Sequence, residues 1–415
     1  MTDVAQQAST IGGPGETLDD AAVHDFVVRR LAAEDLGGKS VCVIVPDGTR
    51  SCPLPLLLDA VREALVGRAG EVTVLVALGT HAAMTDEHLA RHLGVHDGLR
   101  VRNHEWWRPE ALVSLGTIAG ETVAELSEGR LREPVDVVVN RAVLEHDVCL
   151  VVGPVFPHEV VGFSGGNKYF VPGVAGQQII DFSHWLGALI TSADIIGTRG
   201  ITPVRALIDR AVSLIPARRL ALCLVVESGT GALHAASFGS PEAAWAACAD
   251  VSAETHVRYL DAPVARVLSL VPAKYDDMWT GAKGFYKVEP IVADGGQVIV
   301  YAPHITEIAE THPAIREIGY HCRDYFLKQW DRFKDYHWGD LAHSTHLRGA
   351  GSYDPETGQE RGRVTVTLAT GIPEEVVRAV NLDYLDPATV DLDAFARDPA
   401  TLVVRDAGEV LFRLR

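Results

Sequence analysis

An α/β fold on a parallel sheet is predicted by three features of this chain: short apolar runs without polar alternation, helically spaced segments between them, and an abrupt stop of each run at a polar cluster. Strands covered by helices on both faces read as near-continuous apolar runs, which is the signature of parallel rather than half-exposed antiparallel sheets. A length of 415 residues exceeds what one core usually serves, so two domains are expected.

The elements follow in order. Apolar positions from 19 to 36 have helical spacing, and Gly37-Gly38 ends them. Three strands come next: 41–45 stops at Pro46-Asp47-Gly48-Thr49-Arg50, 72–78 stops at Gly79-Thr80-His81, and 148–152 runs toward Pro157-His158. Runs at 135–139 and 220–226 add further strands. After Pro263 the pattern restarts at 265–271 and continues at 298–302 and 364–369. The expected organisation is an N-terminal Rossmann-like domain at 1–261, with a parallel sheet and helices on both faces, that binds cofactor and carries catalysis. A smaller α/β domain at 262–392 closes over the substrate, and a tail at 393–415 packs on either domain. Ligands collect beyond the carboxyl ends of parallel strands, so Asp47, Arg50, His81 and His158 are expected to converge, with the active site in the interdomain cleft.

Composition excludes several classes. A formal charge of −18 and the lack of a basic stripe argue against nucleic acid. Six cysteines without a C-x-x-C pair suit reduced thiols rather than disulfides or structural zinc. The opening Met1-Thr2-Asp3-Val4-Ala5 has no basic start or apolar stretch, and no apolar run approaches membrane-spanning length. The expectation is a cytoplasmic protein with neither nucleic acid nor membrane as partner.

The segment 157–173 (PHEVVGFSGGNKYFVPG) concentrates chemistry. Ser164 sits in a G-x-S-x-G pattern, the nucleophile elbow of serine hydrolases, although Pro172-Gly173 would break the helix that elbow requires. The same glycines, Gly165 and Gly166 among them, let backbone N–H groups approach a phosphate or carboxylate, as a catalytically silent nucleotide binder would use them. Neither a Walker A loop nor G-x-G-x-x-G is present. Lys168 could pair with an anion, link covalently to a cofactor carbonyl, or be solvated. His184 reads equally as a satisfied imidazole, and Asp47 either orients a neighbour or caps an Asx-turn.

The stretches Asp47-Gly48-Thr49-Arg50, Gly79-Thr80-His81, Asn103-His104-Glu105, Pro157-His158, Gly162 through Lys168, Pro172-Gly173 and His184 together resemble the motif series of the nickel-dependent lactate racemase family. The likeness runs from about Val41 to His312. It implies a nickel pincer nucleotide, a pyridinium-3,5-bisthiocarboxylic acid mononucleotide, tethered through Lys168 and cradled by Ser164, Gly165 and Gly166, with His184 as nickel ligand. It further implies a racemase or epimerase of 2-hydroxy acids by reversible hydride transfer. His81 and His158 would be acid/bases, Arg50 and Lys283 would grip substrate, Asp47 would orient a histidine or the arginine, and cofactor-making enzymes would supply the active form. One departure bears on substrate: Thr280 stands where the family carries glutamine, which leaves room for an acid larger than lactate, such as a dicarboxylic or sugar acid.

Overall fold

In the computed structural model, residues 8–405 and 407–415 are described, and the first five residues, read above for a leader, lie outside that set. The chain divides into two units. One runs through Phe156 and takes in Phe163–Ile180 and Arg199–Thr255; the other holds Pro157–Gly162, Asp181–Thr198 and His256–Arg415. The sequence reading had one boundary at 261, whereas here two short pieces of the N-terminal stretch belong to the second unit.

The first unit contains β1 (Ser9–Gly12), α1 (Asp20–Ala32), β2 (Ser40–Pro46), α2 (Leu54–Leu65), β3 (Glu71–Ala77), α3 (Asp86–Leu93), β4 (Arg100–Asn103), β5 (Leu112–Ile118), β6 (Val135–Asn140) and β7 (Val148–Pro154). Then come the start of α4 (Gln177–Ile190), α5 (Pro203–Val212), β8 (Arg218–Val226), β9 (Leu233–Gly239) and α6 (Pro241–His256). Asp19 caps α1 by accepting the Ala22 N–H at 2.7 Å. That helix stops before the apolar pattern does, because Glu34 and Leu36 turn back onto Leu31 and Glu34 carbonyls, and Leu36 is buried from the turn.

The main sheet has the order β1-β9-β8-β7-β2-β3-β4. Strands β8, β7, β2, β3 and β4 are mutually parallel, while β9 and β1 add antiparallel at one edge. Val41, Val43 and Val45 of β2 join the α1 and α2 side chains in one core, as alternation across a strand requires. The run at 135–139 does form a strand, but β6 pairs antiparallel with β5 outside this sheet. From β2 the chain steps outward to β3 and β4, then returns to β7 on the other side of β2. Strand order therefore reverses between β2 and β7, and a crevice beyond their carboxyl ends is where such a sheet takes ligands.

The second unit contains β10 (Val257–Leu260), β11 (Val264–Leu270), α7 (Met278–Gly281), α8 (Lys283–Tyr286), β12 (Val292–Ala302), α9 (Trp338–Arg348), β13 (Thr365–Thr370), β14 (Asp383–Tyr384), β15 (Thr401–Val404) and β16 (Leu411–Leu414). Its five-stranded sheet, β14-β13-β12-β11-β15, is parallel throughout. The C-terminal tail is integral to this unit: β15 forms a sheet edge and β16 pairs with β10. Among the described residues no helix is long and apolar enough to cross a membrane.

Candidate active site

Asp47 follows β2 directly and is buried, and each of its carboxylate oxygens has a task. Oδ1 accepts the Thr49 backbone N–H at 3.1 Å and the Thr49 hydroxyl at 2.7 Å, which makes an Asx-turn. Oδ2 lies 2.5 Å from His81 Nδ1. The carboxylate thus makes the Asx-turn and meets His81 at once. A carboxylate only accepts, so His81 carries its proton on Nδ1 and keeps a lone pair on Nε2. Trp106 fixes the backbone at this point by donating its indole N–H to the His81 carbonyl at 3.1 Å. Arg50 closes the same turn, half-buried.

The Gly-rich segment is tied to that turn through the backbone. Gly79 donates to the Gly173 carbonyl at 2.9 Å, and Gly173 donates to the Lys168 carbonyl at 3.1 Å. Lys168 lies in a 3₁₀ turn, Gly166–Tyr169, and is only partly buried. Tyr169 reaches the end of β7 so closely that a Cβ at Gly153 would meet its hydroxyl at 2.0 Å. The turn therefore covers the switch point between β2 and β7. Burial pushes the Tyr169 phenol well above its usual range, so it stays a neutral hydroxyl there.

Three consecutive carbonyls of the loop are held from behind. Arg205 of α5 donates to Phe163 O at 2.5 Å and to Gly165 O at 3.1 Å, and Trp245 of α6 donates to Ser164 O at 3.0 Å. The guanidinium stacks 4.2 Å from the Trp245 ring. Gly166 has φ +57°, and a Cβ there would meet Trp245 Cβ at 2.7 Å. Burial lowers Arg205 to about 10, which leaves it charged at neutral pH. The Asn167 amide donates to Asp209 at 2.9 Å and to Glu242 at 2.7 Å. Ser164 Oγ accepts the Phe156 N–H at 2.9 Å, and a 3₁₀ turn rather than an α-helix follows it. A nucleophile elbow is not built here.

In the second unit, His158 is buried and its Nδ1 accepts the Val160 N–H at 3.1 Å. Glu159 Oε2 lies 3.5 Å from the same nitrogen, too long to compete as an acceptor. Lys283 of α8 is buried, with Nζ 5.0 Å from the Tyr275 ring centroid. Thr280 is spent partly on structure: its backbone N–H and hydroxyl reach Asp277 Oδ1 at 3.0 and 3.1 Å, capping α7. His184 lies half-buried on α4, one turn after Asp181, whose Oδ2 is 3.0 Å from His337 Nδ1.

Asp47, Arg50, His81 and the Lys168 turn thus gather at one sheet edge of the first unit, while His158, His184, Thr280 and Lys283 belong to the second. His104 is structural: it bridges Ala175 O at 2.9 Å and the Asn140 amide at 3.0 Å, and burial lowers it to about 4. The sequence reading missed Tyr169, Arg205 and Trp245. Amine and imidazole are a fitting donor set for the implied cofactor, since Lys168 can form a thioamide with a thiocarboxyl group, with water leaving and the sulfur kept, and His184 offers the borderline nitrogen that nickel accepts.

A family profile described as lactate racemase N-terminal domain matches residues 25–195. Lactate racemase of Thermoanaerobacterium thermosaccharolyticum is 30% identical over 162 residues, 38% of this chain and 34% of that protein. Its counterpart from Lactiplantibacillus plantarum is 27% identical over 173 residues, 41% and 38% of the two chains. The chain thus spans about a third of the length of the curated relatives it matches. A crystal structure of a Thermotoga maritima protein superposes with TM-score 0.89 at 34% identity, covering 97% of this chain and all (100%) of that one. The lactate racemase apoprotein of T. thermosaccharolyticum superposes with TM-score 0.71 at 19% identity over 98% and 100% of the chains, a likeness of fold.

Proposed function

The chain belongs to the lactate racemase family, and we propose that it is an isomerase that inverts C2 of a 2-hydroxy acid, as a racemase or epimerase. The observation that carries this reading is the Asp47–His81 pair, 2.5 Å apart at the carboxyl edge of the parallel sheet. His81 takes the substrate hydroxyl proton on Nε2, and the Asp47 carboxylate stabilises the imidazolium that results. His158, entering as the imidazolium, gives a proton to the C2 oxygen as the alcohol re-forms and is left neutral, while His81 ends as the imidazolium. When the substrate reacts from its other face the two exchange roles. Arg50 grips the carboxylate through its planar fork, with Lys283 as a second cation.

Lys168 and His184 would hold a nickel pincer nucleotide, with Ser164, Gly165 and Gly166 beside it; when bound, that group supplies a carbon that accepts hydride from C2 and returns it. Cofactor-making enzymes provide it to the chain, and the cytoplasm, where its thiols stay reduced, is the compartment we assign. The serine hydrolase and silent nucleotide-binder readings have no observation in their favour.

The test is inversion of single enantiomers by cofactor-loaded protein, followed by chiral separation. His81→Ala and His158→Ala are each expected to abolish inversion in both directions, because each direction uses one histidine as base and the other as acid. Full activity in either variant refutes the two-histidine scheme.

A further inference from the structure

The helices α7 and α8 run on through Ala282, whose backbone is helical at φ −56°, ψ −19°. Trp279, Lys283 and Tyr286 therefore stand at i, i+4 and i+7 on one face. Two imidazoles of α9, at i and i+3, line that face. His343 stacks on Trp279 with ring centroids 4.1 Å apart, and its Nε2 is 3.1 Å from the Trp279 carbonyl. His346 meets Tyr286 edge-on at 5.9 Å. The Glu159 carboxylate, next to His158, acts electrostatically on both His346 and Tyr286, so this wall borders the acid/base end of the unit.

His346 is 3% exposed, yet neither of its ring nitrogens has a hydrogen-bond partner among the described residues. Nδ1 of His343 is in the same condition. A buried polar atom left unpaired is costly, which makes such a group a place for a ligand or a water.

We propose that His346 receives a hydroxyl group of the substrate beyond C2, so that the preferred substrate is a polyhydroxy acid rather than a simple aliphatic or dicarboxylic 2-hydroxy acid. This rests on the isomerase reading above and specifies its substrate. The argument is one of complementarity. A neutral imidazole presents one N–H donor and one lone pair, and a hydroxyl answers both. A carboxylate answers only the donor and faces the lone pair with negative charge; a methyl group answers neither. Neutrality follows from the surroundings, since burial pulls His343 to about 3 and His346 to about 4.

The experiment uses cofactor-loaded protein and three four-carbon acids that differ in what C3 and C4 carry: 2-hydroxybutanoate, malate and 2,3,4-trihydroxybutanoate. The trihydroxy acid is expected to have a kcat/KM at least tenfold above the other two. In His346→Phe that ratio is expected to fall tenfold or more, and His346→Gln, which keeps a donor and an acceptor, is expected to restore most of it. Preference for 2-hydroxybutanoate or malate, or an unchanged ratio in a folded His346→Phe, overturns the proposal and leaves the isomerase reading standing. Inversion of no 2-hydroxy acid at all overturns both.

Discussion

Asp47→Asn separates the two tasks of one carboxylate. Asparagine keeps an oxygen that can accept the Thr49 N–H, so the Asx-turn after β2 survives, while the charge facing His81 is lost. In the native protein the carboxylate touches Nδ1 at 2.5 Å with Asp47 buried, so the imidazolium formed during proton abstraction is stabilised by a charge-assisted hydrogen bond. Such bonds contribute about 1.5–3 kcal/mol, and Coulomb attraction at an effective dielectric near 20 gives roughly 4 kcal/mol at 4 Å as the upper figure. A loss of about 2–4 kcal/mol of barrier stabilisation corresponds to a roughly 30- to 1000-fold fall in kcat/KM. If the amide instead turns its NH₂ toward the ring, His81 must move its proton to Nε2 and the loss is greater. The assay is initial-rate inversion of each enantiomer, paired with urea unfolding. Asp47→Asn is expected to unfold within about 0.5 kcal/mol of native while losing activity as stated. Inversion within threefold of native in both directions would refute the role given to Asp47.

Two further outcomes follow from buried groups. Arg205→Met removes the donor to Phe163 and Gly165 carbonyls, and is expected to lower unfolding free energy by about 2–6 kcal/mol in urea titrations, because two buried acceptors lose their donor at about 1–3 kcal/mol each; a change under 0.5 kcal/mol would show the clamp to be dispensable. His104 gives a pH dependence whose sign is fixed: the folded protein keeps it neutral down to about 4, whereas an unfolded imidazole takes its proton near 6.5. Between those values the unfolded chain binds more protons, so this contribution is complete above pH 6.5 and is lost as pH falls toward 4, by roughly 1.4 kcal/mol per unit. Replacing His104 by Gln is expected to flatten the stability profile between pH 6.5 and 4.5, and an unchanged slope contradicts the burial argument.

The fold was legible where burial on both faces writes itself into composition. The runs at 41–45, 72–78, 148–152 and 220–226 are β2, β3, β7 and β8, and the polar clusters that stop them include Asp47 and His81. Partner choice is not written there: β6 has the same valine-rich look, yet pairs with β5 rather than joining the sheet. Four-residue strands such as β15 and β16 are too short for periodicity, so the tail's place was open. Contiguity in sequence also misled at 157–162 and 181–198, which group with residues far along the chain. In the site, Arg205 escaped notice because its partners are main-chain carbonyls, which leave no trace in side-chain identity, and an arginine on a helix ordinarily reads as solvent-facing. His346 is hidden for the opposite reason, since a missing partner is visible only in three dimensions.

The most direct measurement of the chemistry uses a single enantiomer of a 2-hydroxy acid deuterated at C2, incubated with cofactor-loaded protein in ordinary water. Chiral separation with mass detection is expected to show the opposite enantiomer with deuterium retained, because hydride leaves and returns without meeting solvent while the histidines handle only the hydroxyl proton. Inversion with loss of the label to water, or no inversion of any such acid, would contradict it.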